Sequence, residues 1–404
     1  MSHRPLCIGF VTVADLPEGG GRTARLRTLV GALVGMGHRV VIWNQHGLES
    51  GGAEQVSGEL AGARFEYVLG TTARQRGFRN LGFKLRAVRR ILAEIRKDAR
   101  AGKLDLIVFN NLAFYDTFPI TRLARKLRIP TIQCYEDERL EVLAPRLFYF
   151  RVFGWNSRAA DRWCSPMAHQ IWAISSYLQE KYSRLSGHPE RVRIIPTIID
   201  CAAWSLPPEP TRAVPVILYS GSFGEQDDMD KLVRVLGCLE KRQVRFQMRF
   251  LGARPELPQV KQLKSLAKAL GIESFLQFRS FCLAAEVRRE VANANILVNL
   301  RTNSVWSRSG LSTKLSEYLA AGRTVLTTDV GDNARYVENG KSALVVSPDD
   351  SVDRIAQLLK EAIERPEWRM RLGEGARKVA LAHFDLPVIQ EKIAQALAQL
   401  PIRP

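Results

Sequence analysis

The chain is patterned as short, unbroken apolar runs separated by longer amphipathic stretches. Runs at 7–14 ("CIGFVTVA"), 38–44, 105–111, 130–137, 171–175 and 192–196 read as strands. Apolar residues at consecutive positions predict strands buried on both faces, as in a parallel sheet. Between most of them lie stretches such as "RTARLRTLVGALVGMG", with apolar residues at helical spacing. Strand and helix in alternation predict a doubly wound domain over residues 1–200.

The pattern breaks at 201–215, "CAAWSLPPEPTRAVP", whose four prolines and weak periodicity read as an interdomain linker. Alternation resumes with runs at 216–221, 245–252, 275–280, 296–300, 324–329 and 342–347. Helices are expected near 229–241, 258–270, 284–293, 312–321, 351–364, 367–383 and 387–399. The expected fold class is α/β: two Rossmann-like doubly wound domains facing across a cleft, the second over 216–384 and followed by a terminal segment over 385–404.

Charge narrows the partners. The net charge of +18 on 404 residues points to anionic lipid, nucleic acid or an acidic substrate. Residues 1–200 carry 30 Lys/Arg against 18 Asp/Glu, and the block 71–103 alone holds 11 basic and two acidic residues. That block is either a solvated helix face or a docking surface. The six cysteines (Cys7, Cys134, Cys164, Cys201, Cys238, Cys282) form no metal-ligand spacing and read as reduced thiols of a cytosolic protein. No apolar run approaches the roughly 18–20 residues of a membrane span. "LCIGFVTVA" imitates a short signal peptide, but it leads into an acidic, Gly-rich loop and reads as a first strand.

Ligands of open α/β sheets bind at the carboxyl ends of the strands, and four places there carry candidate chemistry. The first is the loop with Gly19, Gly20 and Gly21 ahead of a basic helix, either a backbone cradle for an anion or a plain turn. The second is "YSGSFGEQDD", where Ser222 and Gly224 offer donors to phosphate unless the turn is merely rich in small residues.

The third is "SRSGLSTKLSEYLAAG", read as a polar loop entering a helix N-capped by Ser312 or Thr313. Lys314 in the first turn opposes the helix dipole, and an anion there would offset that cost. Glu317 shares its face, so an i,i+3 surface ion pair is the plainer reading. Leu311, Leu315 and Leu319 form the core stripe. The fourth is "CYEDERLE": Glu136, Asp137 and Glu138 are proton acceptors, sugar-hydroxyl partners or a solvated loop. His169 reads as a satisfied structural histidine.

The order of these features resembles the family-4 retaining glycosyltransferases of the GT-B fold, glycosyl transferases group 1. The likeness covers most of the chain and is strongest in "ILYSGSFGEQDDMDKLVRVL", "FLQFRSF", "ANILVNLR" and "SGLSTKLSEYLAAGRTVLTTDVGDNARYVENGKSALVVSPDD". The terminal "GEGARKVALAHFDLPVIQEKIAQAL" looks like the family's closing helices, the last crossing back to the first domain.

The resemblance implies a hexosyltransferase that moves a sugar from a nucleotide diphosphate sugar with retention. It implies no cofactor and no catalytic metal, since helix amides and basic side chains stabilise the leaving diphosphate. Glu317 matches the family glutamate that holds ribose hydroxyls. Ser309 falls where the family has a second glutamate, so Ser309 or the Gly310 amide is left to contact the donor sugar. "STKLSEYL" resembles a variant pattern in which Lys314 is the phosphate cation, and Leu311, Ser312 and Thr313 complete that loop. Gln226 stands where a basic residue is common, leaving Lys314, helped by Arg308, to supply charge. Arg279 matches the nucleobase border, and Gly20 and Gly21 match the loop that closes over the donor. Asp137 and Glu138 are carried as catalytic, acceptor-side groups.

The segment 144–163 interleaves Arg146, Arg151, Arg158 and Arg162 with Phe148, Tyr149, Phe153, Trp155 and Trp163. With Arg86, Arg89 and Arg90 it suits anionic membrane, unless its aromatics are core. The expected partners are a nucleotide-sugar donor and a saccharide or lipid-linked acceptor, as in bacterial envelope or extracellular polysaccharide assembly. The expected location is cytoplasmic, with peripheral docking on the inner membrane face. Competing readings are a nucleotide-sugar epimerase of the same fold and a non-catalytic sugar-nucleotide sensor or scaffold. A nucleic-acid binder is not expected, since no motif beyond charge supports it.

Overall fold

The computed structural model describes residues 4–45, 55–73, 78–110, 113–138, 155–280 and 284–402. The chain divides into two compact units, Met1–Ile198 with Ile389–Pro404, and Ile199–Val388.

The first unit holds one sheet of eight strands: β1 (Cys7–Thr12), β2 (Arg39–Asn44), β3 (Ser57–Leu60), β4 (Ala63–Tyr67), β5 (Leu106–Asn110), β6 (Thr131–Tyr135), β7 (Gln170–Ala173) and β8 (Val192–Ile194). Their order is β3-β4-β2-β1-β5-β6-β7-β8, and only β3–β4 is antiparallel. Strands β1, β5 and β6 are buried at every position, as their unbroken apolar runs require. Helices α1 (Gly21–Gly35), α2 (Phe78–Arg100), α3 (Phe114–Leu127) and α4 (Ser176–Ser186) connect them.

The β3–β4 hairpin is absent from the sequence reading. Its turn places Ala61 and Gly62 at φ 50° and 81°, the double left-handed geometry of a tight hairpin. Ala-Gly is a weaker signal for such a turn than Asn-Gly. Strand β3 is also largely exposed, so it lacks the apolar run that marks its neighbours.

The second unit holds β9 (Val216–Ser220), β10 (Gln247–Leu251), β11 (Leu276–Arg279), β12 (Ile296–Asn299), β13 (Thr324–Thr328) and β14 (Leu344–Val346). The sheet is parallel throughout, in the order β11-β10-β9-β12-β13-β14. Strand order therefore reverses between β9 and β12, the point where such sheets open a crevice. The connections are α5 (Met229–Lys241), α6 (Pro258–Ala269), α7 (Ala284–Ala292), α8 (Val305–Ser309), α9 (Thr313–Ala320), α10 (Asn333–Tyr336), α11 (Val352–Glu364) and α12 (Pro366–His383). Ile217, Leu232, Leu236, Phe250, Val298, Leu326 and Leu359 belong to one core cluster beneath that crevice.

The segment 201–215 is not a free tether. Arg377 donates to the Cys201 carbonyl at 2.7 Å, Arg323 to the Pro207 carbonyl at 2.8 Å, and Arg369 to the Glu209 carboxylate at 2.7 Å. Arg369 also donates to the carbonyls of Ala362 and Ile363, in the last turn of α11, where a helix leaves acceptors unpaired. The prolines remove periodicity, but distant arginines fasten the segment to the second unit. The last helix, α13 (Leu386–Leu397), lies in the first unit from Ile389 onward. There Gln390 donates to the Ala32 carbonyl, and the Ala396 carbonyl accepts from Gln170. Among the described residues no helix is long and apolar enough to cross a membrane.

Candidate functional site

The β9–β12 switch point gathers the loops 221–228 and 300–312. Helix α9 is set there by two strands. Its N-cap Ser312 accepts from the Leu315 amide and donates to Asn299 Oδ1 at 3.1 Å, at the end of β12. Its Tyr318 hydroxyl accepts from the Ser220 amide at 2.9 Å, at the end of β9. The amides of Thr313 and Lys314, in the first turn, have no intrahelical acceptor. Ser312→Ala is expected to destabilise the protein by about 1 kcal/mol. Denaturant unfolding checks this, and an unchanged midpoint would remove the cap from the account.

Lys314 does not pair with Glu317. Its ammonium lies 2.6 Å from Asp227 Oδ1, 3.3 Å from the Tyr219 hydroxyl and 4.5 Å above the Tyr219 ring. The Tyr219 hydroxyl donates to Asp227 Oδ2 at 2.7 Å. The anion that offsets Lys314 at a helix start is therefore the protein's own carboxylate. Burial pulls the Lys314 pKa down, and Asp227 works against that pull. Burial likewise pushes the Tyr219 hydroxyl well above its ordinary range. Loops approach closely here: Gly252, at φ 84°, abuts the Gly221 carbonyl, and a Cβ on Gly221 would lie 2.9 Å from Lys314 Nζ.

Glu317 is half-buried, and among the described residues no donor bonds its carboxylate. Burial raises its pKa from 4.5 to about 7, opposed by Lys314 and Arg288. Arg288 is held over the Trp204 ring at 5.4 Å. An unoccupied acceptor in a dry setting is suited to ligand hydroxyls.

Ser309 departs from its expected place in a polar loop. It ends helix α8, is fully buried, and donates to the Trp306 carbonyl at 3.1 Å. Ser304 caps α8 through the Ser307 amide, a signal that a Ser-x-x-Ser reading offers but that the Gly-containing stretch obscured. Leu311 is buried with the core, while Gly310 and Thr313 are partly accessible. Arg308 turns to Asn303, at 2.9 Å from Oδ1. Ser222 is exposed, and a Cβ on Gly224 would meet Gln226 Oε1 at 2.9 Å. Arg279 pairs with Glu290 at 2.6 Å, which Arg249 also holds at 2.9 Å.

The sequence reading missed Asp227 and Arg301. Both lie at the switch point, joined by an antiparallel bridge between their backbones. A strand end followed by a charged residue was the available signal in "ILVNLR", and nothing local in "EQDD" sets Asp227 apart from Asp228.

In the first unit, Gly20 and Gly21 are exposed at the start of α1, and a Cβ at either would meet nothing within 4 Å. The protein's own packing does not require glycine there. Glu136 is 3.2 Å from Arg25, whose other nitrogens donate to the carbonyls of Ile195 and Pro196. Burial raises the Glu136 pKa, with Arg25 opposing. Glu138 is buried beside Lys181 at 2.5 Å, and Lys181 also meets Asp161 at 3.1 Å. That engagement corrects the picture of three solvated carboxylates; Asp137 is partly accessible. His169 is structural: its Nδ1 accepts from the Thr131 amide at 3.1 Å.

Arg86, Arg89 and Arg90 line the exposed face of α2. Trp155 and Trp163 are 58% and 45% exposed and cluster with Phe114, the ring centroids lying 5.4–6.3 Å apart. Arg146 and Arg151 lie outside the described residues.

The "Glycosyl transferase 4-like domain" family model matches residues 20–197, and "Glycosyl transferases group 1" matches 209–379. A comparison with curated proteins finds no match. Among solved structures, sucrose-phosphate synthase from Thermosynechococcus elongatus is similar at 17% identity and TM-score 0.74, over 97% of this chain and 98% of that one. The Anabaena protein HepE in complex with UDP and glucose is similar at 17% identity and TM-score 0.71, over 98% and 100% of the two chains. WaaG, a glycosyltransferase involved in lipopolysaccharide biosynthesis, is similar at 18% identity and TM-score 0.67, over 96% and 98%. The two matched domains, the two parallel-sheet units and these shared folds agree: the chain belongs to the group 1, family-4 glycosyltransferases of the GT-B fold.

Proposed function

We propose that the chain transfers a hexose from a nucleoside diphosphate sugar to a saccharide or lipid-linked acceptor, with retention and without a catalytic metal. The observation that carries this is the unoccupied Glu317 carboxylate beside the first turn of α9, at the sheet's switch point. A carboxylate acceptor accommodates the two ribose hydroxyls, and unpaired helix amides accommodate phosphate oxygens. The groups that would meet the diphosphate are cations and amides. They stabilise the charge that develops on the leaving phosphate directly. Similar folds bind UDP and UDP-glucose in the Anabaena structures, which supports a nucleotide-sugar donor. Asp137, with Glu138 held by Lys181, is the acceptor-side group of the first unit. The basic face of α2 and the Trp155–Trp163 cluster are the docking surface for anionic lipid at the inner membrane face.

One observation favours a second reading. The Ser309 hydroxyl is sealed against the Trp306 carbonyl and is not available to a donor sugar, as a sugar-nucleotide sensor without turnover would tolerate. The test is release of nucleoside diphosphate from UDP- and GDP-sugars, with a bacterial lipid extract on anionic vesicles as acceptor. Release that rises with extract supports the transferase. Binding without release supports the sensor, and isomerised donor without acceptor supports an epimerase.

A further inference from the structure

We propose that Arg301 is the cation that receives the donor's phosphoryl oxygens, with Lys314 held back as the counter-charge of Asp227. The proposal rests on the nucleotide-sugar reading and deepens it.

Arg301 follows β12, the strand on one side of the switch point. It is only 7% exposed, and its Nε is sealed from solvent with no acceptor. No other acceptor bonds its guanidinium among the described residues. A buried arginine is nearly always paired, because an uncompensated buried charge is costly. The facing carboxylate, Asp227, is already taken at 2.6 Å by Lys314 and at 2.7 Å by the Tyr219 hydroxyl. Two cations therefore share one carboxylate, and one positive charge is left over in a dry place.

The backbone around that charge is fixed. The Arg301 amide donates to the Thr328 hydroxyl at 2.9 Å, and the Thr302 amide donates to the Gln226 carbonyl at 3.0 Å. A guanidinium carried on that fixed backbone is a fork of donors that matches two phosphate oxygens at once. The Lys314 ammonium, with two of its three N–H donors on Asp227 and Tyr219, is not such a fork. Its part is to keep Asp227 from neutralising Arg301, which makes it a positioning residue.

The test is calorimetric titration of the full chain and its Arg301→Gln and Arg301→Lys variants. The probes are UDP, GDP and ADP, the matching nucleosides, and inorganic pyrophosphate. For the diphosphate that binds, Arg301→Gln is expected to lose about 30-fold in affinity, the scale of one charged hydrogen-bond pair. The nucleoside affinity is expected to stay unchanged, and Arg301→Lys to recover part of the loss. Equal weakening of diphosphate and nucleoside, or no weakening of either, overturns the assignment and leaves the transferase reading standing. Pyrophosphate binding that depends on Arg301 supports the phosphoryl site even where no nucleotide binds, which would instead sink the nucleotide-sugar reading. A parent chain that binds neither overturns both. Should Arg301→Gln fail to fold, the Lys variant carries the same comparison of diphosphate with nucleoside.

Discussion

Asp227→Ala is expected to lower the unfolding free energy by about 3–5 kcal/mol, the usual cost of removing one partner from a buried pair. Its carboxylate is the only ion-pair partner of Lys314 among the described residues and accepts from the Tyr219 hydroxyl on its other oxygen. Without it, the Lys314 ammonium and the Arg301 guanidinium face each other in a site that water reaches poorly. The deficit has a pH signature. Burial already lowers the Lys314 pKa, so the fold resists its charged form. A lysine with a lowered folded pKa gains stability as pH rises, so the deficit of Asp227→Ala shrinks toward alkaline pH. Adding Lys314→Met to Asp227→Ala is expected to restore much of the loss, because the orphaned charge goes with it. Thermal or urea unfolding of the parent and these two variants across pH reads all of this. A loss under about 1 kcal/mol for Asp227→Ala would mean that the pair is solvated, and the account of the site would fail.

Nucleotide affinity is expected to rise with pH through about 7, the value to which burial pushes Glu317. Ribose hydroxyls donate, so they bind the ionised carboxylate and draw its pKa down. Affinity is then reduced below that pH and level above it. Glu317→Ala is expected to weaken nucleotide binding about 100-fold, since two charge-assisted bonds are lost. Glu317→Gln, which has no proton to lose, is expected to flatten the pH profile. Stability runs the other way. The folded pKa is raised above 4.5, so the stability contributed by the protonated form is fully present below about 4.5 and is lost as pH rises through about 7. Above that pH, Glu317→Gln is therefore expected to be the more stable protein while binding nucleotide less well. Equilibrium titrations from pH 5 to 9 measure the first effect and unfolding midpoints the second. A pH-independent affinity in the parent would show that Glu317 does not hold ribose.

Much of the scaffold was legible, and for a definite reason. All twelve apolar runs coincide with strands, and β1, β5, β6 and β12 are buried along their whole length. The hairpin β3–β4 was illegible because its exposed edge strand β3 needs no such run and β4 alternates buried and accessible positions. The proline-rich segment was legible as a break but not as a fastened strap, since its holders, Arg323, Arg369 and Arg377, come more than a hundred residues later.

The candidate site divides along the same line. The cap at Ser312, the first-turn lysine and the carboxylate three residues on are local facts, and the i to i+3 geometry of a helix dictates them. Local spacing alone favoured Lys314 with Glu317. Tertiary structure paired Lys314 with Asp227 instead, 87 positions away in sequence, and among the described residues left Glu317 without a donor and the Arg301 guanidinium without an acceptor. The chain's own pattern determined two parallel α/β units and the helix at the second one's switch point, because burial on two faces and helical period are written in neighbouring residues. Which charge meets which was decided only by the fold. In a dry crevice a charge pairs with whatever the sheet order brings beside it, and sheet order joins strand ends that sequence keeps far apart.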